Sequence, residues 1–141
     1  MSDKVVSFLE RCTWYSSLDE RHAKLITTHA VSKVIKKQEI FFQRGDQPLS
    51  WCGVMSGLVR VSSTNVDGKV FSYGGLIEGG WFNETPILKN SQLQYEATSL
   101  RDTEIVLIPS YVFNTLVKES LPFNQYLVNF LNEAILLQLV F

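Results

Sequence analysis

Four glycine-bearing turns constrain this chain most. Gly45-Asp46, Ser56-Gly57, Asp67-Gly68 and Gly79-Gly80 recur about every eleven residues, with short β-rich runs at 51–55, 58–63 and 70–76 between them. A chain punctuated in this way can form only short antiparallel strands folded over one another as a sandwich or roll. Asp67-Gly68 is the clearest hairpin turn, because a type I′ turn needs positive φ at both central positions. Val34-Ile35 and Ile40-Phe41-Phe42 supply earlier strands, and residues 102–108 a last one, stopped by Pro109.

Helices flank this β region. Val5, Phe8, Leu9 and Cys12 fall at helical spacing. Ser17-Leu18-Asp19-Glu20 reads as a capping box opening a second helix over 18–27, which buries Leu18, Leu25 and Ile26. Ser110 is expected to cap a short helix carrying Val112, Phe113, Leu116 and Val117. Ser120 caps the last helix, with Pro122 tolerated in its first turn. In that last helix Phe123, Leu127, Phe130, Ala134, Leu137 and Phe141 alternate steps of four and three, the spacing of an a/d seam. Val128, Leu131, Ile135 and Leu139 form a second apolar face that is expected to pack on the β region.

The composition excludes several classes. With 45% hydrophobic and 19% charged residues the chain is an ordinary globular protein. A net charge of −1 offers no basic footprint for nucleic acid. The first twelve residues carry Asp3, Glu10 and Arg11 and are no signal peptide, and the C-terminal apolar run is broken by Asn132, Glu133 and Gln138. A cytoplasmic protein with no membrane span is expected. Cys12 and Cys52 read as buried, reduced thiols, too few for an iron–sulfur cluster. His22 and His29 lack partners at metal-ligand spacing and read as structural, so no metal and no cofactor is expected. A metal cupin, also a β-roll, would need histidines on its strands, whereas both histidines here precede them. No nucleophile–base set or phosphate loop is present, which argues against an enzyme with catalytic residues.

The stretch 76–100, LIEGGWFNETPILKNSQLQYEATSL, organises the rest: a strand end, a Gly-Gly turn, a short helical turn opened by Trp81-Phe82-Asn83-Glu84, a loop and a returning strand. Glu39-Ile40-Phe41-Phe42-Gln43-Arg44-Gly45-Asp46 and the hairpin Val54 to Val61 precede it in order. Together these segments resemble the cyclic-nucleotide-binding domain of Crp/Fnr (catabolite activator) transcription regulators. The resemblance implies a mainly β fold with flanking helices: a double-stranded, jelly-roll-like antiparallel β-roll and a long C-terminal dimerisation helix. It covers nearly the whole chain, read as one sensor domain over 1–141, with N-terminal helices over 1–30, the roll over 31–109 and C-terminal helices over 110–141. It also implies a homodimer paired through the last helix and a small-molecule effector. DNA would be bound only through a helix-turn-helix domain that this chain lacks, so the chain reads as the sensor half of a longer regulator. A module of the same type controlling a kinase or channel is the alternative.

In that family residues 76–100 correspond to a phosphate-binding cassette. A cyclic phosphate needs amides at a short helix start, an arginine, and an acceptor for the ribose hydroxyl. Phe82-Asn83-Glu84 resembles the family's Phe-Gly-Glu, so the resemblance makes Glu84 the ribose acceptor and puts Asn83 where glycine is usual. Asn is among the few residues that accept positive φ, so the turn can survive. Registering the returning strand on Leu100-Arg101-Asp102-Thr103-Glu104 puts Leu93, Gln94 and Tyr95 where Arg-Ser-Ala is expected. No Lys or Arg occurs from 90 to 100. Three readings follow: a vestigial pocket packed by Tyr95 and Trp81, a pocket for an aromatic or carboxylic small molecule touching Asn83, Glu84, Gln94 and Tyr95, or nucleotide binding through Lys89 or Arg101.

Overall fold

The computed structural model describes residues 3–64, 68 and 70–140, and the side chains of these except at 64, 70–73 and 134–140. Three helices, α1 (Asp3–Glu10), α2 (Thr13–Ser16) and α3 (Glu20–His29), lead into strands β1 (Val31–Ile35), β2 (Ile40–Phe42), β3 (Ser50–Ser56), β4 (Val59–Thr64), β5 (Val70–Leu76) and β6 (Trp81–Phe82). The short helix α4 (Glu84–Lys89) follows, then β7 (Glu96–Ser99), β8 (Thr103–Pro109), α5 (Ser110–Glu119) and α6 (Leu121–Val140). The strands form two antiparallel four-stranded sheets, ordered β1-β8-β3-β6 and β2-β7-β4-β5. This is the mainly β double-stranded roll, with flanking helices and a long C-terminal helix, that the glycine spacing and the resemblance predict.

The turns explain the strand lengths. Gly57 has φ +105°, and a Cβ there would lie 2.4 Å from the Thr103 hydroxyl and 2.7 Å from the Asp102 carbonyl, so only glycine lets the β3–β4 turn pass β8. The turn expected at Asp67-Gly68 lies outside the described residues except for Gly68, whose φ is 80°.

One core lies between the roll and the helices: Trp14, Trp51, Trp81, Phe113 and Phe123 pack with residues of α1, α3 and α5. A second, inside the roll, joins Cys52, Val54, Val59, Phe82 and Ala97, with Phe41 and Phe42 against it.

Several local expectations are corrected. Asp19, not Ser17, caps α3, its Oδ1 accepting from the His22 amide at 2.8 Å. The Ser17 hydroxyl is committed to the Trp14 carbonyl at 2.8 Å, closing α2, a helix too short to leave a periodic trace. The helix therefore starts at Glu20, and Leu18 and Leu25 are only partly buried while Ile26 is fully so. Trp81 and Phe82 are strand, not helix, and pair with Gly53 and Cys52. Ser110 is the first residue of α5 and makes no cap bond; Pro109 holds the cap position. Ser120 does cap α6, accepting from the Phe123 amide at 3.2 Å.

Three residues of α6 stand otherwise than expected. Phe123 and Leu127, assigned to a dimer seam, are 0% and 4% exposed within this chain's own core. Val128, expected against the roll, is 58% exposed, beside Leu121 at 69%. Four aromatic rings decide this: Trp14, Trp51, Phe113 and Tyr126 lie 5.5–6.0 Å from the Phe123 ring, with edge-to-face geometry at the first three. Phe130 is half-buried and stacks on Tyr126 at 5.8 Å. The side chains of Ala134, Leu137 and Phe141 lie outside those described.

Candidate functional site

The cassette is built on β3. Cys52 pairs with Phe82 and Gly53 with Trp81, and a Cβ at residue 53 would sit 2.8 Å from the Trp81 indole. Glycine thus lets Trp81 lie on the strand and stack on Trp51, ring centroids 4.1 Å apart. The chain then turns at Asn83, in the left-handed region at φ 81°, ψ 5°, and enters α4 at Glu84. Asn83 does what the sequence requires of it: it adopts a conformation usually reserved for glycine.

Its side chain does more. Asn83 is 3% exposed. Its Nδ2 donates to the Ser50 carbonyl at 3.2 Å and to Cys52 Sγ at 3.6 Å, while its Oδ1 accepts from the Tyr95 hydroxyl. One amide thereby ties β3, the start of the cassette and the returning loop together. Burial, then the nearby Glu84 and Cys52, raises the Tyr95 phenol, so it stays protonated and donates. Burial likewise raises the Cys52 thiol, with the Asn83 amide acting against it and Glu84 adding to it. Neither Ser50 nor Cys52 was anticipated as part of this site; no spacing rule marks a strand residue that meets the cassette only through tertiary packing.

Leu93 is fully buried. Its amide donates to the Asp46 carbonyl and its carbonyl accepts from the Gly45 amide, both at 2.9 Å, clamping the returning loop to the Gly45-Asp46 turn. Gln94 alternates outward, exposed, its amide donating to the Gln92 carbonyl at 3.4 Å. Of the five pocket candidates, the structure thus gathers Asn83 and Tyr95, buries Leu93 against the Gly45-Asp46 turn, leaves Glu84 half-buried with its Oε2 sealed, and leaves Gln94 outside. Lys89 and Arg101 are exposed.

Glu84 is the unusual group. Its Oε2 is sealed from solvent with no hydrogen-bond partner, and the Trp51 indole N–H is in the same condition. Burial lifts the carboxyl from its ordinary 4.5 to about 7, opposed by its own backbone amide and by the Trp51 N–H, which is near enough to favour the ionised form without reaching hydrogen-bond geometry. The influence of Glu84 also reaches α6, where it adds to the burial that raises the Tyr126 phenol. Among the described residues no group of His, Cys, Asp and Glu could hold a metal ion, and no helix is long and apolar enough to cross a membrane.

The model of the cyclic nucleotide-binding domain matches residues 32–120, more than half of the chain and all of the cassette. The chain belongs to the cyclic nucleotide-binding domain family. Solved structures with this domain fold include the sensor domain of the transcriptional regulator DNR from Pseudomonas aeruginosa, at TM-score 0.82 and 13% identity, over 99% of this chain and 95% of that one. The Thermus thermophilus catabolite activator protein is similar at TM-score 0.71 and 22% identity over 90% of this chain, and a cAMP-bound PfPKA-R at 0.71 and 20% over 82%. This domain spans 62% and 41% of those two chains. No curated protein sequence matches it. At these identities the likeness establishes the fold of the cyclic nucleotide-binding domain, and its neighbours include both transcription regulators and a protein whose name marks a kinase regulatory subunit.

Proposed function

We propose that this chain is the effector-sensing and dimerisation domain of a Crp/Fnr-type transcription regulator whose cassette does not hold cyclic AMP or cyclic GMP tightly. The observation that carries the cassette reading is Leu93, fully buried at the position where a phosphate-binding arginine is expected. A phosphate entering there would meet an aliphatic side chain, a carboxyl at Glu84 and an Asn83 amide already committed to Ser50 and Tyr95. Losing one charge-assisted hydrogen bond costs roughly 1.5–3 kcal/mol, and an unpaired buried anion costs more. Binding falls by about a hundredfold or more at about 1.4 kcal/mol per tenfold.

The test is a thermal-shift titration of wild type and Leu93→Arg with cyclic AMP and cyclic GMP. Ligand at about a hundred times its dissociation constant stabilises by about 2.7 kcal/mol. No saturable shift is expected in wild type at micromolar nucleotide, and a gain is expected in Leu93→Arg. A saturable micromolar shift in wild type would overturn the cassette reading and point to Lys89 or Arg101.

The regulator reading draws on the DNR sensor domain, which this chain matches over nearly the full length of both, and on the free face of α6. Leu121, Gln125, Val128 and Asn132 are exposed at steps of four, three and four, and the sequence continues the pattern at 135 and 139. This face, rather than the one through Phe123 and Leu127, is where a second copy would pair, and polar residues within a seam fix its register. Val128→Glu is expected to convert a dimer to a folded monomer in sedimentation equilibrium at micromolar concentration. A wild-type monomer, or a variant that stays dimeric, would sink this assignment.

A further inference from the structure

Glu84 stands where three elements meet. It opens α4 directly after Asn83, whose side chain bonds the Ser50 carbonyl of β3; its Oε2 lies sealed and unpartnered, and so does the indole N–H of Trp51, the next residue on that strand. Trp51 in turn stacks on Trp81 and packs against Phe113 of α5 and Phe123 of α6, 5.2 and 5.5 Å away. Tyr126 of α6 feels the same carboxyl. A buried donor and a buried acceptor left without partners each carry a desolvation cost that a bond between them would relieve.

We infer that protonation of Glu84 is an input of this domain: the neutral carboxyl seats α4 against the aromatic core, and the carboxylate draws the Trp51 N–H to itself and shifts the ring contacts that hold α6. The carboxyl has the range for it, since burial holds it near 7. The chemistry is only the loss of one proton from Oε to solvent; the anion then accepts the indole N–H more strongly than the neutral acid does. The groups facing Glu84 do not compete for that proton. Cys52 on β3, Tyr95 in the returning loop and Tyr126 on α6 are all raised by burial and stay neutral. From α5, Val112, Phe113 and Leu116 belong to the apolar cluster that also holds Trp51 and Trp81. Among the described residues no cation contributes to the shift of Glu84. The coupling needs neither phosphate nor sugar, so it stands or falls separately from the nucleotide reading.

Carboxyl ¹³C NMR on the full chain, labelled at glutamate side chains, tests it directly. One resonance is expected to move with a midpoint near 7 and to be missing in Glu84→Gln. The Trp51 indole N–H resonance and the α6 amides from 123 to 130 are expected to follow the same midpoint in wild type and to stay still across it in the variant. A Glu84 resonance that titrates in the ordinary carboxylate range, about 4 to 5, overturns the inference. So does a wild-type indole transition that survives in Glu84→Gln, which keeps His22 and His29. Should the variant not fold, the wild-type carboxyl and indole titrations decide, and midpoints that differ overturn it.

Discussion

Replacing Phe123 by alanine is expected to destabilise the isolated subunit by about 3–5 kcal/mol, the largest effect of a single truncation among the described side chains of α6. The ring is fully buried, with four aromatic neighbours contributed by α2, β3, α5 and α6 itself. Truncation removes the transfer energy of the ring and leaves a cavity that rigid tryptophans cannot collapse into. Because the packing is within one chain, the loss is expected to be independent of protein concentration. Urea denaturation over a wide concentration range checks this. If Phe123 instead sat in a dimer seam, the variant would be a stable monomer with an unchanged midpoint at low concentration. Val128→Ala, on the exposed face, is expected to leave subunit stability almost unchanged.

Phe123 also marks the limit of what the chain's own pattern discloses. The roll was legible because glycine turns and period-2 runs are local signals; residues 40–42 and 70–76 coincide with β2 and β5. The orientation of α6 was not, because both of its faces are apolar. Phe123/Leu127 and Val128/Leu131 fit a seam and a core equally well, and the choice is made by Trp14 and Trp51, which are distant in sequence, and by Phe113 of the preceding helix. The cap of α3 failed for a related reason. Ser17 and Asp19 are both good N-caps, and a bond to Trp14, in a four-residue helix, takes the serine out of contention. At the site, Asn83 could be read because positive φ restricts residue choice, and the missing cation because it is missing from the whole returning loop. That the Asn83 side chain would be consumed by Ser50, Cys52 and Tyr95, or that Glu84 would come near Trp51 and Tyr126, depends on how β3 and α6 pack around the cassette.

Glu84→Gln is expected to stabilise the protein by up to roughly 3 kcal/mol above neutral pH and to leave it unchanged in acid. The sign follows from proton binding. The unfolded carboxyl titrates at its ordinary 4.5 and the folded one near 7, so between these values the folded state holds the proton that the unfolded state has released. Stability from this group is then complete below 4.5, falls as pH rises, and levels off above 7 once both states are ionised. Glutamine keeps the shape of the neutral acid and has no proton to lose. The stability difference between the variant and wild type should therefore grow through this window and plateau. Chemical denaturation of both proteins from about pH 4 to 9 measures that difference curve, in which groups common to the two cancel. A variant that is less stable than wild type at high pH would mean that the carboxylate is held by a partner, as a working ribose acceptor or ion pair would require. A flat difference would mean that Glu84 is solvated and the sealed Oε2 is not. A rising curve is what a carboxyl with its Oε2 sealed, and no cation among the described residues contributing to its shift, demands.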